Sequence, residues 1–197
     1  MSKGQYTKEM IIEKAAELFN TKGYAGCSLS DLMTATGLKK GGIYNHFSNK
    51  DEISLEAFKY SIARLEAYLA DVTRSADTEK ARLTAILDFY RKHAIKPLIQ
   101  GGCPILNTIV DADDTNPALI ALARRKTERL LKSLERIIQR GQQGGEFQLR
   151  VKPRTVALTI FSGIEGALLL TRAYDDEQAI DAMMDCLKSY LENRVYV

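Results

Sequence analysis

One stretch near the N-terminus, residues 28–50, constrains the fold of this chain more than any other. Ser28 is followed three residues later by Asp31, and this capping-box pattern predicts the start of a helix. Gly37 predicts its end, because glycine readily adopts the left-handed conformation of a sharp helix exit. Leucine and methionine at helical spacing between them give this short helix one apolar face.

A second short helix is predicted from Lys39 to Phe47. Ile43 and Phe47 are four residues apart, so both side chains point inward from one helix face. Ser48 and Asp51 resemble another capping box and predict the start of a longer helix. Two short helices joined by a tight turn are typical of a helix-turn-helix.

The charge of the second helix suits DNA. Residues 36–50 contain three lysines, one histidine and no carboxylate. Lysines and helix N-termini hold phosphates, while Asn45 can pair with an adenine edge and a lysine with a guanine edge. A plain helical hairpin with solvated charges is the alternative that these residues leave open.

The segment from Gly37 to Glu52 resembles the DNA-binding signature of the tetracycline-repressor (TetR) family of bacterial transcription regulators. It follows the pattern Gly-apolar-x-x-Gly-x-apolar-Tyr-x-His-Phe-x-x-Lys. The resemblance implies an all-α fold of about nine helices. A three-helix DNA-binding head over residues 1–51 would precede a helical ligand-binding and dimerisation domain over residues 52–197, with the boundary inside the fourth helix.

The resemblance also implies roles for individual residues. Phosphate or a groove edge would be met by Ser28 and Ser30. The recognition surface would include or adjoin Lys39, Lys40, Gly41, Asn45 and His46. The DNA backbone would be clamped by Tyr44 and Lys50. Three positions depart from the family pattern, namely Lys39, Gly42 and Asn45. Because few side chains are then long enough to read bases, phosphate contact and DNA shape are expected to matter more than usual.

Composition restricts the class of protein. The chain has 197 residues, 45% hydrophobic content and a net charge of +3, which predicts one or two globular domains rather than a polycation. The most apolar stretch, residues 156–173, is interrupted by Glu165 and Arg172, so no membrane span is predicted. We therefore expect a cytoplasmic protein with reduced cysteines and no cofactor.

Helical patterns cover the remaining chain. Residues 1–6 are expected to form a loose tail before a helix that Thr7 caps. Further helices are predicted over residues 7–22, 49–73, 78–96, 104–112, 117–143, 153–173 and from 175 or 176 to 194. The helix at 117–143 carries a basic face, which is either a second nucleic-acid surface or simply solvated. The last two helices have more apolar surface than one subunit needs, and in the resembled family they pair with their copies, so a homodimer is expected.

The resemblance implies a ligand-responsive regulator, most simply a repressor, that a small-molecule effector releases from operator DNA. Candidate effector-binding residues, from position alone, are Phe58, Ile62, Phe89, His93, Cys103, Asn107, Phe161 and Glu165. His93 is either a ligand contact or a packed core residue. Glu165 either meets a cationic ligand or pairs with an arginine of a neighbouring helix.

Several other interpretations compete with this one. Cys103, at the N-cap before Pro104, is either a thiol sensor of oxidants and electrophiles or a buried thiol. Asp111, Asp113 and Asp114 suggest either a divalent metal or solvated helix caps. An enzyme is disfavoured because no nucleophile–base pair or phosphate-binding loop appears. A helical protein-interaction module would leave the lysines of the motif without a purpose.

Overall fold

A computed structural model describes residues 2–112 and 116–197. The described helices are α1 (Lys3–Lys22), α2 (Leu29–Thr36), α3 (Lys40–Tyr44), α4 (Lys50–Arg74), α5 (Glu79–His93), α6 (Pro104–Ala112), α7 (Pro117–Gln143), α8 (Pro153–Tyr174) and α9 (Gln178–Tyr190), with a π-helical turn at Leu191–Val195. Within these residues the sole β-type pairing is an isolated antiparallel bridge between Phe147 and Tyr196. The predicted all-α fold of about nine helices is thus confirmed.

The first helix begins earlier than predicted. The side chain of Ser2 accepts a hydrogen bond from the backbone N–H of Gln5, which caps α1 at Lys3. Thr7 lies inside the helix, where its hydroxyl donates to the Lys3 carbonyl at 3.0 Å. The predictions of a loose N-terminal tail and of a cap at Thr7 were therefore wrong, because the serine cap lies five residues upstream.

The helix-turn-helix forms as predicted at its entry and turn. Ser28 and Asp31 make a complete capping box, and Gly37 ends α2 with φ +70°. The second helix is shorter than expected, since α3 ends at Tyr44. Phe47 nevertheless lies in the core, 3% exposed, on the turn that follows.

The start of α4 uses a different cap from the predicted one. The backbone N–H of Glu52 donates to the Asn49 side chain at 2.8 Å, and the Glu52 carboxylate accepts from the backbone N–H of Ser48 at 2.7 Å. Asn49 is therefore the cap, and the predicted pair of Ser48 with Asp51 was wrong. These hydrogen bonds from Ser48 hold the pKa of the Glu52 carboxyl below its usual range.

Two compact units divide the chain. One comprises residues 1–65 and 99–126, and the other residues 66–98 and 127–197. Packing units and functional domains need not coincide, so the boundary near Glu52 stays a prediction.

The first unit buries the apolar faces of the helix-turn-helix against α1 and the start of α4. Its buried residues are Ile11, Ala15, Ala16, Cys27, Leu32, Ile43, Phe47, Ile53 and Ala57. Burial raises the pKa of the Cys27 thiol, which suits a small packing residue of this core.

Residues 99–126 join the first unit through a polar network on Asn20, which is 8% exposed. Its side-chain amide donates to the carbonyls of Gln100 at 2.7 Å and Gly102 at 2.9 Å. The amide of Asn107 in turn lies 3.0 Å from the Asn20 side-chain oxygen and 2.8 Å from the Gly101 carbonyl. These bonds fix the loop before α6 to the end of α1, although some 80 residues separate them in sequence.

The second unit is a larger helical core. Its fully buried side chains include Leu83, Leu87, Ile138, Phe147, Ile160 and Ile180. Glu146 caps α5 by accepting from the backbone N–H groups of Glu79 and Lys80, each at 3.0 Å. Burial works against the charged form of Glu146, but these N–H donors outweigh it and lower the pKa of the carboxyl.

Helix α8 is long and apolar enough to cross a membrane by length and composition. Its inner face, with Ile160 and Ile164, lies in the core of the second unit. A core helix passes the same test, so we interpret α8 as part of this core.

The loop before α6 yields a stability prediction. Gly101 has φ +99°, and a Cβ there would lie 2.3 Å from the Asn20 carbonyl oxygen. Gly101→Ala should therefore lower the free energy of unfolding by about 3 kcal/mol, from backbone strain plus overpacking. Urea titration followed by circular dichroism measures the loss.

Gly37 is the matched control, because its φ is +70° but nothing lies within 4 Å of a Cβ there. Gly37→Ala should cost about 1 kcal/mol, from backbone strain alone. Equal losses in the two variants would show that the contact with Asn20 does not matter.

Candidate nucleic-acid interface

The predicted DNA-contacting residues lie outside the apolar core of the first unit. Ser28, Ser30, Lys39, Lys40, Gly41 and Asn45 are exposed, and Tyr44, His46 and Lys50 are half-buried. Ile43 and Phe47 anchor the opposite side of this segment in the core. Burial of these two side chains turns Lys39, at the N-cap of α3, and Lys40, within it, towards solvent.

The electrostatics of this surface favour an anion. The nearest acid of α2, Asp31, is held by the capping box and pairs with Lys22. The hydrogen bonds from Lys22 and Ser28 hold the pKa of the Asp31 carboxyl well below its usual range. Because Asp31 is neutralised locally, the lysines of residues 36–50 dominate the surface beside it.

The half-buried Tyr44 and the exposed Lys40 form one pair, with the Lys40 ammonium 5.9 Å from the centre of the tyrosine ring. A tyrosine hydroxyl and a lysine ammonium are both donors to phosphate oxygens. The Ser28 hydroxyl, by contrast, donates to Asp31 at 2.6 Å and accepts from its backbone N–H at 3.1 Å. The Ser28 hydroxyl therefore uses its only hydrogen, and one of its acceptor positions, within the cap.

Lys50 is engaged inside the head. Its ammonium donates to the Tyr24 carbonyl and lies 4.4 Å from the centre of the Tyr24 ring. The Tyr24 hydroxyl donates to Asp51. Burial, followed by this bond to Asp51, raises the pKa of Tyr24 to about 12. Lys50 therefore ties the loop before α2 to the start of α4, besides any contact with DNA.

Lys8 is a cation beside the helix-turn-helix that the motif did not indicate. Its ammonium lies 5.2 Å from the centre of the Phe47 ring. Lys8 precedes the motif in sequence and reaches the turn after α3 because α1 packs across α2 and α3 in one core. Its proximity is a tertiary effect that helical spacing alone does not reveal.

The candidate effector-binding residues fall into both units. In the first, Phe58 and Ile62 are buried core residues, Cys103 is half-buried directly before α6, and the Asn107 amide is engaged with Asn20. Phe58 and Asn107 line a space of about 30 Å³. That volume suits a single water molecule and is too small for an organic effector.

In the second unit, the rings of Phe89 and His93 are 4.9 Å apart, and His93 Nδ1 lies 3.3 Å from the Lys96 carbonyl oxygen. Phe161 lines a larger cavity of about 320 Å³, and Glu165 is half-buried on the same helix. The cavity is lined by Glu66, Leu69, Ala70, Thr73, Ile86, Tyr90, Arg129, Leu130, Ser133, Leu134, Ile137, Phe161 and Ile164. Of these residues only Phe161 was among the predicted candidates, since helical spacing does not distinguish a cavity wall from a filled core.

The structure also bears on the proposed metal cluster. Asp113 and Asp114 lie outside the described residues. Asp111 accepts hydrogen bonds from the backbone N–H groups of Tyr24 and Ala25. Within residues 2–112 and 116–197, no three histidine, cysteine, aspartate or glutamate side chains are placed to hold a metal ion.

The basic face of α7 is partly paired. Arg129 lies 3.5 Å from Glu66, Lys132 lies 3.9 Å from Glu128, and Arg140 lies 2.8 Å from Glu79. Such pairing is typical of a solvated helix face and disfavours a second nucleic-acid surface there.

Comparison with known protein families gives two matches along the chain. Residues 11–57 match the model described as bacterial regulatory proteins, tetR family. Residues 80–187 match the model described as tetracyclin repressor-like, C-terminal domain.

Individual relatives agree with these matches. The crystal structure of a TetR transcriptional regulator from Chloroflexus aurantiacus is 36% identical, with a TM-score of 0.96 and complete coverage of both chains. An uncharacterised HTH-type transcriptional regulator from Lactococcus lactis is 29% identical over 94% of this chain and 93% of its own. The HTH-type transcriptional repressor DhaR from Mycobacterium sp. is 23% identical over 90% of this chain and 88% of its own.

The contacts of Lys50 generate a prediction for stability in the absence of DNA. Lys50→Met removes the bond to the Tyr24 carbonyl and the cation–π contact, and should lower the free energy of unfolding by about 1–2 kcal/mol. Thermal and urea unfolding of the free protein measure this loss.

Lys39→Met is the matched control, since the Lys39 side chain is exposed and makes no capping hydrogen bond. Its stability should stay within about 0.5 kcal/mol of the wild type. A Lys50→Met variant as stable as the control would contradict a structural role for Lys50.

Proposed function

Because the chain belongs to the TetR family of helix-turn-helix transcription regulators, we propose that it is a cytoplasmic repressor that binds operator DNA as a homodimer and leaves it when a small-molecule effector binds. The observation that carries this proposal is the exposed, carboxylate-free surface of α3 above the buried Ile43 and Phe47. A regulator of this kind needs such a surface to meet the polyanionic duplex. The relative DhaR, named a repressor, supports the direction of regulation.

At the DNA, α3 enters the major groove. Lys39, Lys40 and Tyr44 donate to phosphate oxygens, while Asn45 reaches a base edge. The helix offers few long side chains because Gly41 and Gly42 occupy its centre. Discrimination between sequences therefore depends partly on groove shape and duplex deformability.

The dimer forms through the last two helices. Leu158, Leu169, Leu170 and Tyr174 of α8 are all exposed in the single chain, Leu169 by 57%. Gly166 lies among them with open space where a Cβ would be, which lets a second helix approach closely. A two-fold dimer sets its recognition helices ~34–36 Å apart, one turn of the duplex.

Release of the protein from DNA follows from the thermodynamic linkage between effector binding and DNA binding. An effector shifts the equilibrium only if it binds the released conformation more tightly than the DNA-bound one. Helix α4 is the element that transmits the change in this proposal. Its Ile53 and Ala57 lie in the core of the first unit, and its Leu69 lines the cavity of the second.

A helical protein-interaction module is the alternative that DNA binding tests directly. Fluorescence anisotropy measures the affinity of the protein for duplex DNA. The wild type should bind the duplex from upstream of its own gene more tightly than a scrambled duplex of the same composition. Lys39→Ala/Lys40→Ala should reduce the slope of log affinity against log salt by about 2, because each lost phosphate contact removes about one released counterion.

Lys59→Ala is the control for this titration. Lys59 is a half-exposed lysine of α4 that pairs with Glu56 at 2.7 Å. Its slope should match the wild type. Identical slopes in the double variant and the wild type would remove α3 from the interface, and the absence of sequence preference would favour the interaction module.

The dimer has its own test. Leu169→Lys/Leu170→Lys places two charges on the proposed interface and should weaken dimerisation by about a hundredfold in sedimentation velocity. Leu149→Lys is the control, because Leu149 is 82% exposed and lies outside α8. Dimers that survive the double substitution would exclude this face of α8.

A further inference from the structure

The cavity of the second unit has the size of a two-ring molecule. Its volume is about 320 Å³, and residues of α4, α5, α7 and α8 line it. An apolar cavity of about 150 Å³ holds benzene, so this one has room for roughly twice that ligand. Ala70 and Ser133 are both exposed and lie among the lining residues, so they mark the opening of the cavity to solvent.

Hydrocarbon makes up most of the cavity wall. The majority of the lining residues carry aliphatic or phenyl side chains. Four of them, Ile86, Leu134, Ile137 and Ile164, are buried and belong to the hydrophobic core of this unit. The wall is therefore continuous with the core, and an apolar molecule inside it gains from leaving water as a core side chain does.

The charged residues of the wall are paired with one another. Among the described residues they are Glu66 and Arg129, whose formal charges cancel. Arg129 Nε lies 3.5 Å from Glu66 Oε1, with the arginine side chain 68% exposed and the glutamate side chain 27% exposed. The wall thus presents no net charge, and an ionic ligand would lose hydration inside the cavity without an opposite net charge to compensate it.

Two hydroxyl groups of the wall use their hydrogens within the protein. Thr73 donates to the Leu69 carbonyl at 2.7 Å, and Ser133 donates to the Arg129 carbonyl at 3.1 Å. A hydroxyl has one hydrogen, so neither side chain keeps a donor for a ligand. A polar group on a ligand would therefore give up its bonds to water for little gain at these positions.

We propose that this cavity binds an uncharged, apolar molecule of about two fused rings, which it holds by hydrocarbon contact and not by hydrogen bonds. Aromatic hydrocarbons and their alkyl derivatives are the chemical class that meets these requirements. As the effector, this molecule would act in the regulation proposed above, and the inference rests on that function.

Equilibrium dialysis at pH 7 tests the class with probes that share one ring system. They are naphthalene, 2-naphthol, 2-naphthoate and 2-naphthylmethylammonium, with benzene for comparison of size. Naphthalene should bind at least about tenfold more tightly than benzene, because it buries more apolar surface, and about tenfold more tightly than either ion. The naphthol should bind no more tightly than naphthalene. Preferential binding of the naphthol or of either ion, or no binding of naphthalene at its solubility limit, would overturn the proposal.

Two substitutions at the opening locate the site. Ala70→Phe on α4 and Ser133→Phe on α7 each place a ring in the opening and should weaken naphthalene binding at least about tenfold. Ala67→Phe is the matched control, since Ala67 is an exposed alanine of the same helix as Ala70 and lies outside the lining. Circular dichroism verifies that each variant is folded. Wild-type binding in both opening variants, or an equal loss in the control, would contradict this location.

Three further variants separate hydrocarbon contact from hydrogen bonding. Tyr90→Phe removes a hydroxyl and keeps the ring, while Glu66→Met/Arg129→Met removes the ion pair and keeps the net charge. Both should retain naphthalene affinity within about threefold, because the ligand is held by hydrocarbon contact. Leu130→Asn places an amide in the wall at a half-buried position and should weaken binding at least about fivefold. Larger losses in the first two variants than in Leu130→Asn would show that polar groups hold the ligand.

Operator binding without probe separates this inference from the proposed function. A protein that binds its operator selectively but shows no preference for naphthalene retains the regulator function and loses this effector class. A protein with the predicted preference but no selective DNA binding retains the ligand site and loses the regulator function.

Discussion

The proposed DNA-facing surface depends on the burial of two side chains, Ile43 and Phe47. Helix α3 has five residues and two glycines, and a helix of that length and composition is unstable in isolation. It persists because Ile43 is fully buried and Phe47 nearly so, in a core shared with α1 and α2. The orientation of Lys39, Lys40 and Asn45 follows from that anchoring, so the proposed recognition surface is a product of packing more than of helix propensity.

Polar contacts have a similar anchoring role where residues 99–126 pack within the first unit. The carboxamides of Asn20 and Asn107 share hydrogen bonds with the loop at Gly101 and Gly102, and Asp111 accepts from the backbone after α1. Buried or half-buried amides are costly when unpaired, so such a network fixes one arrangement of the loop strongly. Asn107 was predicted from its position to contact the effector. In the structure its amide instead holds this loop through hydrogen bonds to Asn20 and Gly101.

The second unit combines a filled core with a space that is left open. Its cavity borders that core, with Ile86, Leu134, Ile137 and Ile164 belonging to both. An unfilled apolar space of this size costs stability in the free protein. A ligand that fills it recovers dispersion contacts, which couples its occupancy to the packing of α4, α5, α7 and α8.

The sequence by itself determined the helical architecture and the location of the DNA-binding motif, because both depend on local patterns. Capping at Ser28 and termination at Gly37 involve residues a few positions apart, and the bounds of α7 follow from Pro117 and the apolar period. The structure, and not the sequence pattern, showed that Ser2 rather than Thr7 starts α1 and that Asn49 rather than Ser48 caps α4, because several residues close together in sequence can form the same local cap. It also decided that Lys50 binds the Tyr24 carbonyl, that Lys8 lies beside Phe47 and that a cavity adjoins Phe161. These contacts join residues distant in the chain, and helical periodicity says which face is apolar without saying what that face meets.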